Sequence, residues 1–129
     1  MQEVSEASIR ECCAGRMRLK SVHPSQLAID LLDRSECHVK VTAVLADSHG
    51  IFAWGWNSSG RGFGLCAERH CLNRVNRKRL DKATMWVIGI RKSSGNFVNS
   101  KPCAECQRAL KGVGKVMYWD KTAWVRLWP

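Results

Sequence analysis

The chain has 129 residues, 45% of them hydrophobic, which suits one compact domain with one core. No run approaches the roughly 18 uninterrupted apolar residues of a membrane span, and Met1 to Arg10 mixes charged and small residues without a signal-peptide pattern, so no membrane partner and a cytoplasmic place are expected. Lys plus Arg outnumber Asp plus Glu by 21 to 11, and the resulting charge of +10 attracts polyanions such as nucleic acid.

Residues 1–24 read as an extension, in which Ile9, Cys13 and Met17 form a weak helical stripe that His23-Pro24 breaks. Residues 25–129 read as the single domain. Ser25 is placed to cap a short helix whose Leu27, Leu31 and Leu32 face the core. Val39, Val41, Ala43 and Leu45 alternate with Lys40, Thr42, Val44 and Ala46, which predicts a strand. Asp47-Ser48-His49-Gly50 turns the chain, and Ile51 to Trp56 returns as the second arm of a hairpin. Asn57 to Gly64, with its three glycines, is a loop leading straight to Cys66.

From Cys66 the pattern becomes helical, with Ala67, Cys71, Leu72 and Val75 on the apolar side. Thr84 to Ile90 is a continuous apolar run, as in a central strand covered on both faces. Ser93 to Lys101 is polar and turn-rich. A third helix is predicted from about Cys103, ended by Gly112 and Gly114. Lys115 to Trp119 and Ala123 to Trp128 read as strands, and the three residues between them leave no room for a crossover, so the pair is antiparallel. Strands interleaved with helices predict a layered α/β domain.

Seven cysteines is an odd number, and Cys103 and Cys106 form a C-x-x-C pair, which in a reducing compartment reads as metal or redox chemistry. Cys12, Cys13, Cys37 and Cys71 read as small packing residues. Cys66, Cys103 and Cys106 are the expected zinc ligands, leaving one coordination position for water. Cys66 and Cys103 fall at predicted helix starts, where the unpaired N–H groups favour thiolates. Glu68, two residues from Cys66, can face the fourth position without binding, and there a carboxylate moves protons between water and a substrate nitrogen. Arg69 is expected to balance the thiolate charge. The competing reading is a closed structural site with His70 as fourth ligand, which gives Glu68 no role. His23, His38 and His49 read as surface residues.

Cys66-Ala67-Glu68-Arg69 followed by Pro102-Cys103-Ala104-Glu105-Cys106 resembles the signature of the zinc-dependent cytidine deaminase superfamily. The resemblance runs from about Ser25 to Trp128 and implies a three-layer α/β fold around a mixed five-stranded sheet with an antiparallel C-terminal pair. It implies Zn²⁺ as cofactor and hydrolytic loss of the amino group from carbon 4 of cytosine, with Glu68 carrying the protons. Gly55-Trp56-Asn57 is similar to the family segment whose asparagine positions the sugar. Trp56 and Asn57, with Ser59 and Arg61 of the following loop, are therefore the expected substrate contacts. Free-cytidine members carry Asn-x-Glu there, and both polar residues grip the ribose; here the run is Asn57-Ser58-Ser59. The missing anion points away from a free nucleoside and eases the approach of a phosphodiester.

Basic residues crowd the end of the second predicted helix (Arg74, Arg77, Lys78, Arg79, Lys82) and flank the segment before the second motif (Arg91, Lys92, Lys101). With six tryptophans, some of them near strand ends, Arg74, Arg77, Lys78, Arg91 and Lys101 are expected nucleic-acid contacts. The leading reading is a cytosine deaminase acting on single-stranded DNA, with RNA as a variant. A free cytidine, deoxycytidine or nucleotide deaminase that completes its pocket by self-association is the second. A non-catalytic, zinc-stabilised nucleic-acid-binding module is the third, and monomer and homo-oligomer are both open.

Overall fold

The structure is a computed structural model that describes residues 22–59, 65–73, 75 and 77–127. The expected stripe of Ile9, Cys13 and Met17 lies outside those residues, as does Trp128.

The first helix, α1, spans Pro24–Asp30 and continues as a 3₁₀ turn over Leu31–Arg34. Its cap is His23 and not Ser25: the His23 ring nitrogen Nδ1 accepts the Ser25 N–H at 3.2 Å, and Pro24 sits at the first position, where a missing N–H costs nothing. Leu27, Leu31 and Leu32 are buried as their spacing predicts.

The hairpin follows as β1 (Val39–Asp47) and β2 (Gly50–Trp56). Asp47 Oδ1 accepts the His49 N–H at 2.9 Å, and Gly50 takes φ +113°, a backbone conformation that glycine permits. β3 (Thr84–Arg91) pairs antiparallel with β1, so β1 is internal to the sheet. That placement explains why the strand's alternation hides burial on both faces. Ala43 and Leu45 enter one core cluster, while Val44 and Ala46 enter the other. Thr42 is fully buried among them, and its hydroxyl is satisfied by donating to the Ala28 carbonyl of α1.

The second helix, α2, covers Ala67–Leu72. It stops sooner than the basic run suggests, and Arg77–Lys82 form a separate 3₁₀ turn leading to β3. The third helix, α3, covers Ala104–Ala109, with Gly112 beyond it at φ +98°. The chain ends in β5 (Lys115–Trp119), parallel to β3, and β6 (Trp124–Arg126), antiparallel to β5 as expected.

The sheet therefore has the order β2-β1-β3-β5-β6, with one strand more than expected. Phe97–Val98 form a two-residue β4 inside the segment read as polar loop, pairing with Ile90 and Gly89. The reason is geometric. β5 covers β3 only from Thr84 to Val87, so the backbone groups of β3 beyond that point need another partner.

Three layers result. α2 and α3 pack on one face over Ala43, Leu45, Met85 and Val87. α1 packs on the other over Val44, Ala46 and Ile88. Each fully buried Leu, Ile or Val contributes about 1.5–3 kcal/mol relative to exposure. No helix among the described residues is long and apolar enough to cross a membrane.

Candidate active site

Both helices on the first face begin at a cysteine. Cys66 is the N-cap of α2, extended at φ −69° and ψ 148°, and Cys103 is the N-cap of α3, at φ −70° and ψ 169°. Cys106 lies in the first turn of α3 and is 1% exposed. The three sulfurs lie within 4.8 Å of one another. Tetrahedral zinc with about 2.3 Å bonds holds its sulfurs roughly 3.8 Å apart, so this donor set fits the metal after a small contraction.

The electrostatics agree with ligation. Backbone N–H donation at the start of α3 is the main influence on the Cys103 thiol and moves it below its usual range, against a smaller upward push from burial. Burial, then the Glu68 carboxylate and the neighbouring sulfurs, push the Cys106 thiol well up, which is the penalty a bound cation relieves. Arg69 reaches back with Nη2 3.6 Å from Cys66 Sγ, the charge-balancing position its spacing predicts.

Glu68 is 5% exposed, in the first turn of α2. Burial raises its carboxyl above the usual range, opposed by its own backbone N–H, the Cys106 thiol and the charge of Arg69.

His70 is committed elsewhere. Its Nδ1 lies 3.1 Å from the Trp56 N and 2.9 Å from the Trp56 O, and its ring meets Trp56 edge-on at 5.0 Å. It is not part of the thiol cluster, which removes the closed three-cysteine, one-histidine alternative. This clasp fixes α2 against the end of β2, and Gly55 makes the approach possible. A Cβ at Gly55 would lie 2.5 Å from Cys71 N and 3.0 Å from Ala67 O.

A pocket of about 180 Å³ opens on the cysteines and Glu68. That is below the roughly 300–1,000 Å³ of pockets for drug-sized ligands, and leaves room for a single ring. Val39 and Val41 of β1 and Val98 of β4 give it apolar walls, and the exposed Asn99 and Lys101 stand at its mouth.

Asn57 also lines the pocket, but most of its amide is already used. Its Oδ1 accepts from Ser35 Oγ at 2.6 Å and from the Val41 N–H at 2.9 Å, and its Nδ2 donates to Val39 O at 2.8 Å. One amide N–H remains for a ligand.

The other expected contacts divide. Lys101 lines the pocket, and Arg91 is exposed at the same end of the sheet, opposite Val39. Trp56 backs His70, and Ser59 is exposed beyond the Ser58–Leu65 bridge; neither lines the pocket. Lys78 is exposed in the turn before β3, at the end of the sheet away from the cysteines. Arg79 beside it is tied to Asp47 at 2.8 Å and lies 4.0 Å over the Phe52 ring. Arg61, Arg74 and the side chain of Arg77 lie outside the described residues.

The sequence reading missed Ser35 and the pocket walls. Strand alternation places Val39 and Val41 on one face, so their role had a signal. Ser35 had none, because its partner Asn57 is brought to it by the hairpin.

Residues 20–119 match the family model described as the cytidine and deoxycytidylate deaminase zinc-binding region. No curated protein matches the chain in sequence. Among solved structures, the chain is similar to cytidine deaminase from Burkholderia pseudomallei, at 18% identity and a TM-score of 0.59, over 81% of this chain and 88% of that one. It is similar to dCMP deaminase from the cyanophage S-TIM5, at 22% identity and a TM-score of 0.59, over 77% and 81%. At these identities the likeness is one of fold.

Proposed function

The chain belongs to the cytidine and deoxycytidylate deaminase zinc-binding family, and from that premise we propose that it hydrolyses cytosine to uracil in single-stranded DNA. One observation carries the reading. A buried carboxylate beside three convergent thiols faces a pocket the size of one ring, and among the described residues that pocket has a lysine at its mouth and no acid in its lining besides Glu68.

Zinc held by Cys66, Cys103 and Cys106 supplies an acidified water when bound. The chain's own residues do the rest. Glu68 takes a proton from the attacking water and passes it to the ring nitrogen beside the amino-bearing carbon. A second transfer through Glu68 carries the remaining proton of the added water to the amino group, the carbon–nitrogen bond breaks with its electron pair on nitrogen, and the group leaves as ammonia while the oxygen becomes the ring carbonyl. Water enters, ammonia leaves, and no oxidant is needed. Burial of Glu68 raises its proton affinity, the direction an acid–base role needs, and Val39, Val41 and Val98 give the ring an apolar wall.

The substrate reading rests on the mouth. Lys101 suits a phosphate, and among the described residues no lining carboxylate besides Glu68 is available to grip a ribose diol. A pocket for one ring accepts a base turned out of a single strand. A free deoxycytidine monophosphate, also a phosphate-bearing cytosine, is the second reading that the same lysine favours.

The test incubates the zinc-loaded protein with single-stranded DNA, duplex DNA, RNA, deoxycytidine monophosphate and cytidine at one salt concentration, because polyanion binding falls steeply with salt. Cytosine-to-uracil conversion in the single-stranded DNA, absent with Glu68→Gln, supports the proposal. Turnover of cytidine or the mononucleotide alone sinks the single-strand part. Nucleic-acid binding unaffected by Glu68→Gln, with no turnover of any cytosine, sinks the whole.

A further inference from the structure

Ser35 closes the 3₁₀ turn that follows α1, the helix on the sheet face opposite the cysteines, and its hydroxyl meets a residue of the pocket. It is 2% exposed, and its own N–H donates to Leu32 O at 3.2 Å. The Cys37 N–H donates to Ser35 Oγ at 3.2 Å, and the Ser35 hydroxyl in turn donates to Asn57 Oδ1 at 2.6 Å.

These ties fix which end of the Asn57 amide faces which neighbour. The Val41 N–H can only donate and the Val39 carbonyl can only accept, at 2.9 and 2.8 Å, so the amide oxygen and nitrogen cannot exchange places. The Asn57 N–H also donates to Val41 O at 3.0 Å, which holds its backbone to β1. Ser35 fills the remaining acceptor position on Oδ1. Asn57 is left with one N–H donor and no acceptor for the pocket it lines.

A contact that only donates treats sugar oxygens in a particular way. A free hydroxyl both donates and accepts, whereas the same oxygen in a phosphodiester only accepts. An acceptor in the pocket wall would require the hydroxyl; a lone N–H serves either. The 3′ oxygen is where this decides between substrates, since it is free in deoxycytidine monophosphate and esterified inside a strand.

Resting on the single-strand reading, we propose that Ser35 is a positioning residue that holds Asn57 as a donor-only contact to a sugar oxygen. The pocket then takes a cytosine whose 3′ oxygen carries a phosphate as readily as one whose 3′ oxygen is a hydroxyl. Ser35 acts by preorganisation: a buried hydroxyl sets the amide before the substrate arrives. The contact it supports is made in the ground state and the transition state alike, so its loss appears in KM and not in kcat.

The experiment is a double-mutant cycle of Ser35→Ala, Asn57→Ala and the two together. Its substrates are a short oligodeoxynucleotide ending in its one cytosine, with either a 3′-hydroxyl or a 3′-phosphate, and deoxycytidine monophosphate. In wild type the KM values for the two oligonucleotide ends are expected to agree within about threefold, since one N–H serves both. Ser35→Ala is expected to raise KM about three- to tenfold on both ends, the factor for one weakened hydrogen bond, with kcat and zinc content unchanged. Added to Asn57→Ala, the same substitution is expected to change KM by less than about twofold, because Ser35 acts through the amide. Ser35→Thr, which keeps the hydroxyl, is expected to keep the wild-type KM. An equal effect of Ser35→Ala in both backgrounds, or a fall in kcat with loss of zinc, makes the role structural only and overturns the proposal. A wild-type preference for the hydroxyl end above about tenfold, abolished by Asn57→Ala, reveals an acceptor in the wall and overturns it too. Conversion of the mononucleotide but of no oligonucleotide overturns the single-strand reading, while the cycle on the mononucleotide still decides the role of Ser35.

Discussion

Gly55 is the point at which the sheet sets the position of the active site, and Gly55→Ala tests that directly. A Cβ there would stand 2.5 Å from the backbone nitrogen of Cys71, where ordinary contact begins at 3.4 Å, a shortfall of about 0.9 Å. Neither partner is the flexible end of a side chain: Gly55 is buried in β2, and Cys71 N belongs to the α2 backbone. The helix must therefore move off the strand by roughly that distance. Cys66 caps this helix and Glu68 lies in its first turn, so sulfur and carboxylate move together. Overpacking of this kind costs about 1–3 kcal/mol, which lowers Tm by roughly 3–15 °C in a domain of this size. A misplacement of about 1 Å costs on the order of 100-fold in rate. The assay is kcat/KM on whichever cytosine substrate the protein turns over, with zinc retention under chelator competition. Gly114→Ala is the control. Its Cβ would press on the carbonyls of Asp81 and Ala83, at the start of β5 and away from the cysteines. It is expected to lower Tm similarly while leaving zinc retention and kcat/KM near wild type. Full activity in Gly55→Ala, or equal activity loss in both variants at matched Tm, would refute the argument.

Three further outcomes are expected. Glu68→Gln keeps the shape of the side chain but cannot accept a proton, so kcat falls by about 10²–10⁴ while zinc content and Tm hold; a smaller loss moves the proton transfer to another group. Asn57→Asp keeps acceptors for Ser35 and Val41 but sets an oxygen against Val39 O, where an N–H now donates at 2.8 Å; a stability loss of about 1–3 kcal/mol is expected in thermal denaturation, and none would mean the three bonds are not formed together. Burial tends to raise the Asp47 carboxyl, but donation from Arg79 and from the His49 N–H outweighs it, and the net position is below the usual carboxylate range. A depressed folded-state pKa stabilises above the unfolded value and fades as pH falls through the folded one. The deficit of Asp47→Asn, about 1 kcal/mol at pH 7, should therefore shrink toward zero as pH falls through and below the ordinary carboxylate range; a constant deficit counts against the pair.

The parts of the site legible in the sequence were those set by local spacing. Cys66 and Glu68, like Cys103 and Cys106, lie within one helical turn of each other, and each pair opens a helix, so residue type and offset settle the side chains' direction. The strands were legible for a similar reason, since apolar runs have few other uses. β4 escaped because two residues show no period, and what makes them a strand is the exposed edge of β3 beyond β5. The cap on α1 escaped because Ser25 was the expected side chain by type, while Pro24 at the first helical position made His23 the residue with the right backbone. Asn57 was singled out for its place after the hairpin, but its ties to Ser35, Val39 and Val41 depend on how the chain folds back.

The positive charge illustrates why substrate is harder to read than chemistry. Along the chain, Lys78, Arg79 and Lys82 look like one binding cluster with Arg91, Lys92 and Lys101. In the fold they separate, because β3 runs the length of the sheet between them. Its first residue, Thr84, follows the 3₁₀ turn and lies opposite Ala46, near the hairpin turn; its last, Arg91, lies opposite Val39, beside the pocket. Arg79 is further withdrawn by Asp47. Fixed charges act on a bound phosphate over about a Debye length, roughly 8 Å at physiological salt, which is much shorter than an eight-residue strand at about 3.3 Å per residue. The far group can therefore raise the general attraction of a polyanion for the whole protein. On the proposed single-strand substrate, and among the described residues, placing a phosphodiester at the pocket would fall to Arg91, Lys92 and Lys101.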